Sequence, residues 1–203
     1  MTSAMTSAIT IIEYYRRTIR RMEPMLDRWL LGLFARFVFL AVLVPYYVNS
    51  ALTKFDGPFS IADSAYYQIA LPAVDAAGGD VSAVSFFPWG LMVFVGSYGE
   101  IILPLLLVAG LFTRMAALGM IAFIVVQSLT DILVHNVDAG TIGALFDRFP
   151  DSVILDQRLL WIFPLAYLAV KGAGMLSLDK LLCTIWTQRM AGHEKSGRLS
   201  PTA

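Results

Sequence analysis

The sequence predicts an all-α integral membrane protein, a four-helix bundle with both termini in the cytoplasm, and three observations carry that prediction. Hydrophobic residues fill 58% of the 203 positions and charged residues 15%, with a mean hydropathy of +0.69, whereas a soluble domain carries nearer ~25% charge. Four apolar stretches are long enough, at ~1.5 Å per residue, to cross a ~30 Å hydrocarbon core. Lys and Arg gather in the segments that share one side, and Asp in the two connections that share the other.

Taken in order, residues 1–28 form a basic N-terminal segment. Within it Arg16, Arg17, Arg20 and Arg21 can occupy one side of a helix and Ile12, Tyr15, Ile19 and Met22 another. That pattern fits either an interfacial helix on an anionic leaflet or a basic tail that only fixes topology. The membrane body spans 29–182. Its first helix is expected over about Trp29–Val48, the second over about Trp89–Phe112, the third over about Met115–His135 and the fourth over about Arg158–Leu176. Thr113 and Arg114 are expected to form the tight turn between the second and third. Connections of about 49–88 and 136–157 complete the body, the first with room for short amphipathic helices near Ile61–Ile69, and 183–203 is a polar tail.

Orientation follows from charge. Arg16, Arg17, Arg20, Arg21 and Arg28 precede the first span, Arg114 sits in the short turn, and Lys180, Arg189, Lys195 and Arg198 follow the last. The two longer connections carry Asp56, Asp63, Asp75 and Asp80, then Asp138, Asp147, Asp151 and Asp156. Under the positive-inside rule the termini and the 113–114 turn are cytoplasmic, and the acidic loops lie outside. Tyr46, Tyr47, Phe86, Phe87 and Trp89 then read as an outer aromatic belt, with Trp29 at the inner surface.

Polar residues inside the spans are the candidate site, because a charge at the bilayer centre costs at least ~2.5–3.5 kcal/mol and is seldom kept without a use or a partner. Counting ~1.5 Å per residue from the cytoplasmic ends puts Arg36 roughly 10 Å deep, Glu100 and Gln127 roughly 18 Å, Asp131 roughly 24 Å and His135 roughly 30 Å. Gln127, Asp131 and His135 recur at i, i+4 and i+8, so they form one stripe. The expected arrangement is an outward-opening pocket with Glu100 at its floor facing Gln127, Asp131 and His135 nearer its mouth, and Asn49 and Lys54 at the rim. Arg36 is expected to reach Glu100 from the cytoplasmic side, as a structural ion pair or as part of the chemistry.

Several chemistries are excluded or weakly supported. One cysteine, Cys183, builds no disulfide, thiol pair or cysteine-held cluster, and two histidines, one in the tail, build no bis-His haem within one bundle. Cys183 reads as a small apolar residue. Asp131 and His135 alone do not make a metal site, so no metal is assigned. No phosphate loop or dinucleotide fingerprint is present, and no nucleic-acid partner is expected.

Arg36 followed by S-A-L-T-K ending at Lys54, the block E-I-I-L-P-L-L-L-V-A-G-L-F-T-R-M-A-A-L from Glu100 to Leu118, and the closing K-G-A-G-M-L-S-L-D-K resemble the DoxX family of small four-helix membrane proteins. The resemblance implies a cytoplasmic-membrane protein, often an accessory component beside redox or metal-stress systems, with some members similar to the membrane subunit of a thiosulfate:quinone oxidoreductase. It maps recurring polar positions onto Arg36, Lys54, Glu100 and Arg114. The long acidic loop and the basic N-terminal extension depart from the shortest family pattern. Two functions follow as expectations. One is an accessory redox subunit that binds a quinone and takes electrons from a partner protein. The other is a non-enzymatic scaffold, or a small-molecule or metal-ion handling component, that recruits an extracytoplasmic partner. Besides the lipid bilayer and such a partner, a homo-oligomer is a candidate assembly.

Overall fold

The computed structural model describes residues 2–26, 30–57 and 59–197. Among them the secondary structure is helical, with one isolated antiparallel bridge between Phe55 and Ile61. Helix α1 covers Thr2–Met25. Four helices are long and apolar enough to cross a membrane: α2 Leu31–Leu52, α5 Phe86–Ala109, α6 Thr113–Leu133 and α8 Val153–Lys171. Shorter helices α3 Asp63–Ile69, α4 Leu71–Ala76 and α7 Ala139–Ile142 occupy the two connections, and α9 runs over Leu178–Gly197.

The segment is helical, and Ile12, Tyr15, Ile19 and Met22 are exposed along it. Trp29, expected at the inner surface, lies outside the described residues, as do Arg28 and Arg198.

Several helix boundaries differ from the sequence reading. Helix α2 continues to Leu52, absorbing Pro45 through a wide turn at Phe39–Leu43; the proline lacks the amide that would bond one turn back, and a wide turn accommodates that loss. Helix α5 stops at Ala109 because Gly110 turns left-handed (φ 68°) and Phe112 follows it (φ 48°). Thr113 and Arg114 are therefore the first residues of α6, and the turn is Gly110–Phe112. Helix α8 begins earlier than expected, at Val153, and ends at Lys171 before Gly172 (φ 83°).

In the sequence α2, α5, α6, α8 each long helix contacts the next, and α8 returns to α2. Phe39, Leu43 and Tyr47 of α2 meet Leu107 of α5, Met120 and Ile124 of α6, and Leu165 and Leu168 of α8 in the main core. Helix α3 packs Ala65 and Ala70 on Val93 of α5 in a smaller cluster. Only 22–28% of each long helix's most apolar window is buried within the protein. The remainder faces outward with residues such as Phe34, Phe37, Leu105, Val126 and Phe163, a surface that water would penalise at about 25 cal/mol per Å² and that lipid tails solvate without penalty. The four helices thus place the protein in a lipid bilayer as a multi-pass membrane protein.

Candidate functional site

The polar residues sort into one buried ion pair, a second pair buried on its arginine side only, and a backbone clamp toward the opposite ends of the long helices. Glu100 is 4% exposed, and its partner is Lys54. Lys54 Nζ donates to Glu100 Oε2 at 2.9 Å and Oε1 at 3.1 Å, and to Ser50 Oγ at 2.7 Å. Ser50 Oγ also lies 3.3 Å from Glu100 Oε1. The lysine just past the α2 terminus folds its side chain back along the last helical turn. Lys54 was expected at a rim and is instead buried, because α2 ends beside the middle of α5. Pro104, one turn beyond Glu100 on α5, has no amide hydrogen to give to the Glu100 carbonyl, which leaves another acceptor beside the pair.

The second pair joins Asp131 of α6 to Arg158 of α8, with Arg158 Nη2 2.5 Å from Asp131 Oδ2 and Nη1 3.0 Å from Ser128 Oγ. The sequence reading left Arg158 unassigned, although it and Asp131 stand at the same ends of antiparallel spans. Matching depths would have found it. The stripe of Gln127, Asp131 and His135 is divided among three partners: Gln127 donates to Tyr46 Oη at 2.7 Å, Asp131 holds Arg158, and His135 Nε2 is 3.0 Å from the Gln68 carbonyl. Glu100 therefore does not face Gln127, and these residues do not line a single outward pocket. Asp131 and His135 diverge, and among the described residues no three His, Cys, Asp or Glu side chains gather. Asn49 is exposed and apart from both pairs.

Near the pairs in sequence are buried polar atoms with no protein partner. The Tyr47 hydroxyl, Ser97 Oγ, Gln127 Oε1 and Arg158 Nε are buried and unbonded. Tyr47 was expected in an aromatic belt but is fully buried, edge-on to Tyr46 and Phe123. Ser97 sits one turn from Glu100 on the same face of α5. A buried polar group without a partner costs ~1–3 kcal/mol, so this layer is where a polar ligand or water gains most. Of the expected belt, Phe86 and Phe87 are exposed, whereas Trp89 packs against the α3 cluster.

At the opposite end Arg36 does not reach Glu100. Its guanidinium donates to the Leu107 carbonyl at 3.1 Å, to the Leu176 carbonyl at 2.5 Å and to the Val108 carbonyl. An α-helix leaves its last carbonyls unbonded, and Arg36 satisfies those of α5 while tying down the loop after α8. Asp179 does the reciprocal work on α6: it accepts from the Phe112 amide at 2.7 Å, the Thr113 amide at 3.0 Å and Thr113 Oγ1 at 2.8 Å. The central block and the S-L-D ending, distant in sequence, are one structural unit. Asp179→Ala is expected to lower stability by about 2 kcal/mol through loss of the cap, readable as earlier thermal unfolding in detergent.

Arg114 is exposed beside this clamp and lines a cavity of about 450 Å³ with Phe112, Met115, Lys171 and Lys180. Cys183 is exposed on α9 at the same cavity, not packed as an apolar residue. A second, polar cavity of about 500 Å³ lies between α3 and the turn at Val81–Ala83, lined by Asp63, Tyr67 and Asp80. Hydrogen bonds from the Ser82 hydroxyl and amide hold Asp80 below the usual carboxylate range, and those from the Thr141 hydroxyl and amide do the same for Asp138. Because both are depressed relative to the unfolded chain, their contribution is present above the ordinary aspartate range and is lost as pH falls through the lowered value. Carboxyl carbon NMR shifts of the two residues should therefore titrate below the ordinary aspartate range measured in an unfolded peptide, and midpoints equal to the peptide's would contradict this.

Comparison with known proteins returns no match among family models, curated sequences or solved structures.

Proposed function

We propose that this chain is a DoxX-like membrane protein of the inner membrane, a four-helix bundle with both termini cytoplasmic, that serves as an accessory redox subunit binding a quinone head group in its buried polar layer. The observation that carries the reading is the set of buried unbonded atoms on Tyr47, Ser97, Gln127 and Arg158. Arg158 belongs to an ion pair, Ser97 and Gln127 stand one helical turn from Glu100 and Asp131, and Tyr47 stands one turn from Ser50, which bonds Lys54 and Glu100. Three of them, the Tyr47 hydroxyl, Ser97 Oγ and Arg158 Nε, are donors, and a quinone head group presents two carbonyl acceptors. The fourth, Gln127 Oε1, is an acceptor suited to the hydroxyl of the reduced form. Reduction of a quinone to a quinol takes two electrons and two protons. A partner protein supplies the electrons, and the Lys54–Glu100 and Arg158–Asp131 pairs supply hydrogen-bonded groups along which protons approach. The sorting of Lys and Arg supports the orientation, with the Arg36–Asp179 clamp inside and the two ion pairs toward the outside.

The test is thermal unfolding in detergent with a short-chain ubiquinone. Added quinone at about 100-fold over its Kd is expected to stabilise the wild-type protein by about 2.7 kcal/mol, and Ser97→Ala with Tyr47→Phe, which removes two donors and no bulk, is expected to abolish the shift. An unchanged melting temperature in the wild type overturns the reading.

A second reading is a scaffold that recruits a partner through the acidic connections. It is favoured by the mutual satisfaction of Lys54, Glu100 and Ser50, which makes the pair a self-contained lock between helices. On this reading Glu100→Gln leaves partner recruitment intact and charge reversal in 49–88 abolishes it. Loss of electron transfer in well-folded Glu100→Gln protein would exclude it.

A further inference from the structure

We infer that the cavity at the clamp end binds the phosphate group of an anionic lipid, a role separate from the quinone reading. Three cationic side chains converge there from three elements: Arg114 from the first turn of α6, Lys171 from the last residue of α8, and Lys180 from the first turn of α9. One carboxylate, Asp179, also lines the cavity, but its oxygens are committed to the Phe112 and Thr113 amides and the Thr113 hydroxyl. The cavity therefore presents net positive charge.

Its position selects a lipid. The cavity lies where two apolar membrane-crossing helices end, so its mouth is at the level of lipid head groups. Phe112 and Met115, 64% and 70% exposed, give it an apolar wall against which glycerol and the first acyl carbons pack. A volume of about 450 Å³ admits a phosphodiester with its glycerol. The loop backbone at Gly172 and Gly174, which lines the cavity, has positive φ (83° and 79°), a conformation that favours glycine. Basic pockets between membrane helices hold anionic head groups through these same forces.

The experiment is native mass spectrometry of the full chain released from detergent containing equal phosphatidylglycerol and phosphatidylcholine. The wild-type protein is expected to retain phosphatidylglycerol selectively. Arg114→Gln, Lys171→Gln and Lys180→Gln together are expected to weaken that retention on the order of 100-fold, and Arg114→Gln or Lys180→Gln alone by about fivefold. A variant with Arg16, Arg17, Arg20 and Arg21 changed to Gln should retain the lipid as the wild type does, which separates the cavity from general surface attraction. The single variants keep the test valid if the triple variant fails to fold. Equal retention of the two lipids, undiminished selectivity in the folded single and triple variants, or an equal loss in the α1 variant overturns the proposal. Displacement of the lipid by millimolar inorganic phosphate would assign the cavity to free phosphate and overturn the lipid source.

Discussion

Lys54→Met is expected to destabilise the protein by ~3–5 kcal/mol, because it leaves the Glu100 carboxylate buried without its cation. Glu100 and Lys54 are each about 4% exposed, and the lysine ammonium makes two contacts to the carboxylate within 3.1 Å. Removing two charges from water costs several kcal/mol per ion, and their attraction offsets this only when both are present. The double variant Lys54→Met with Glu100→Leu should therefore recover most of the stability lost by Lys54→Met alone. Detergent unfolding of the single and double variants reads this directly as a coupling energy. Additive losses would mean that the pair does not hold α2 against α5. The exposed end of the second pair weakens the corresponding effect there: Asp131 is 26% exposed, and Asp131→Asn, which keeps an acceptor for Arg158, should cost about 1–2 kcal/mol.

Gly110→Ala is expected to cost about 3 kcal/mol. An L-residue in the left-handed region loses ~1–2 kcal/mol, and a Cβ at Gly110 would lie 2.7 Å from Ser177 Cβ and 3.0 Å from the Arg36 guanidinium carbon. Both neighbours belong to the clamp, so the added methyl pushes apart the groups that bond the end of α5 to the loop after α8. Overpacking of this kind adds ~1–3 kcal/mol. Ser177→Gly introduced with Gly110→Ala should return the part of the steric cost owed to Ser177 and leave the conformational part and the contact with Arg36. Full destabilisation persisting in the double variant would place the cause elsewhere. Differential unfolding of the two variants in one detergent makes the comparison.

The four long helices were legible in the sequence because hydropathy and length are local properties, and Glu100, Asp131 and Arg36 were visible as charges where charges are costly. Their pairings were not legible. Depth counting put Lys54 beyond the bilayer, and it could not foresee that α2 ends beside the middle of α5 or that the lysine folds back along its own helix. Arg36 was assigned to the nearest anion, whereas backbone carbonyls at the end of α5 and in the loop after α8, invisible to residue type, accept from its Nε, Nη1 and Nη2. Rotation about a helix axis decides which faces meet. That is why Gln127 at Glu100's counted depth bonds Tyr46 instead. The turn was misplaced because Phe112 adopts a left-handed conformation uncommon for a bulky residue, held by the hydrogen bond that its amide donates to the Asp179 carboxylate, 67 positions away.

Photolabelling with an azido-quinone, followed by peptide mapping, tests most directly whether the buried polar layer is a binding site. Label is expected on the α2 segment containing Tyr47 and the α5 segment containing Ser97 and Glu100, and excess unlabelled quinone should suppress it. Label confined to lipid-facing residues such as Leu105 and Phe163, unaffected by competitor, would contradict it and leave the two ion pairs as locks between helices.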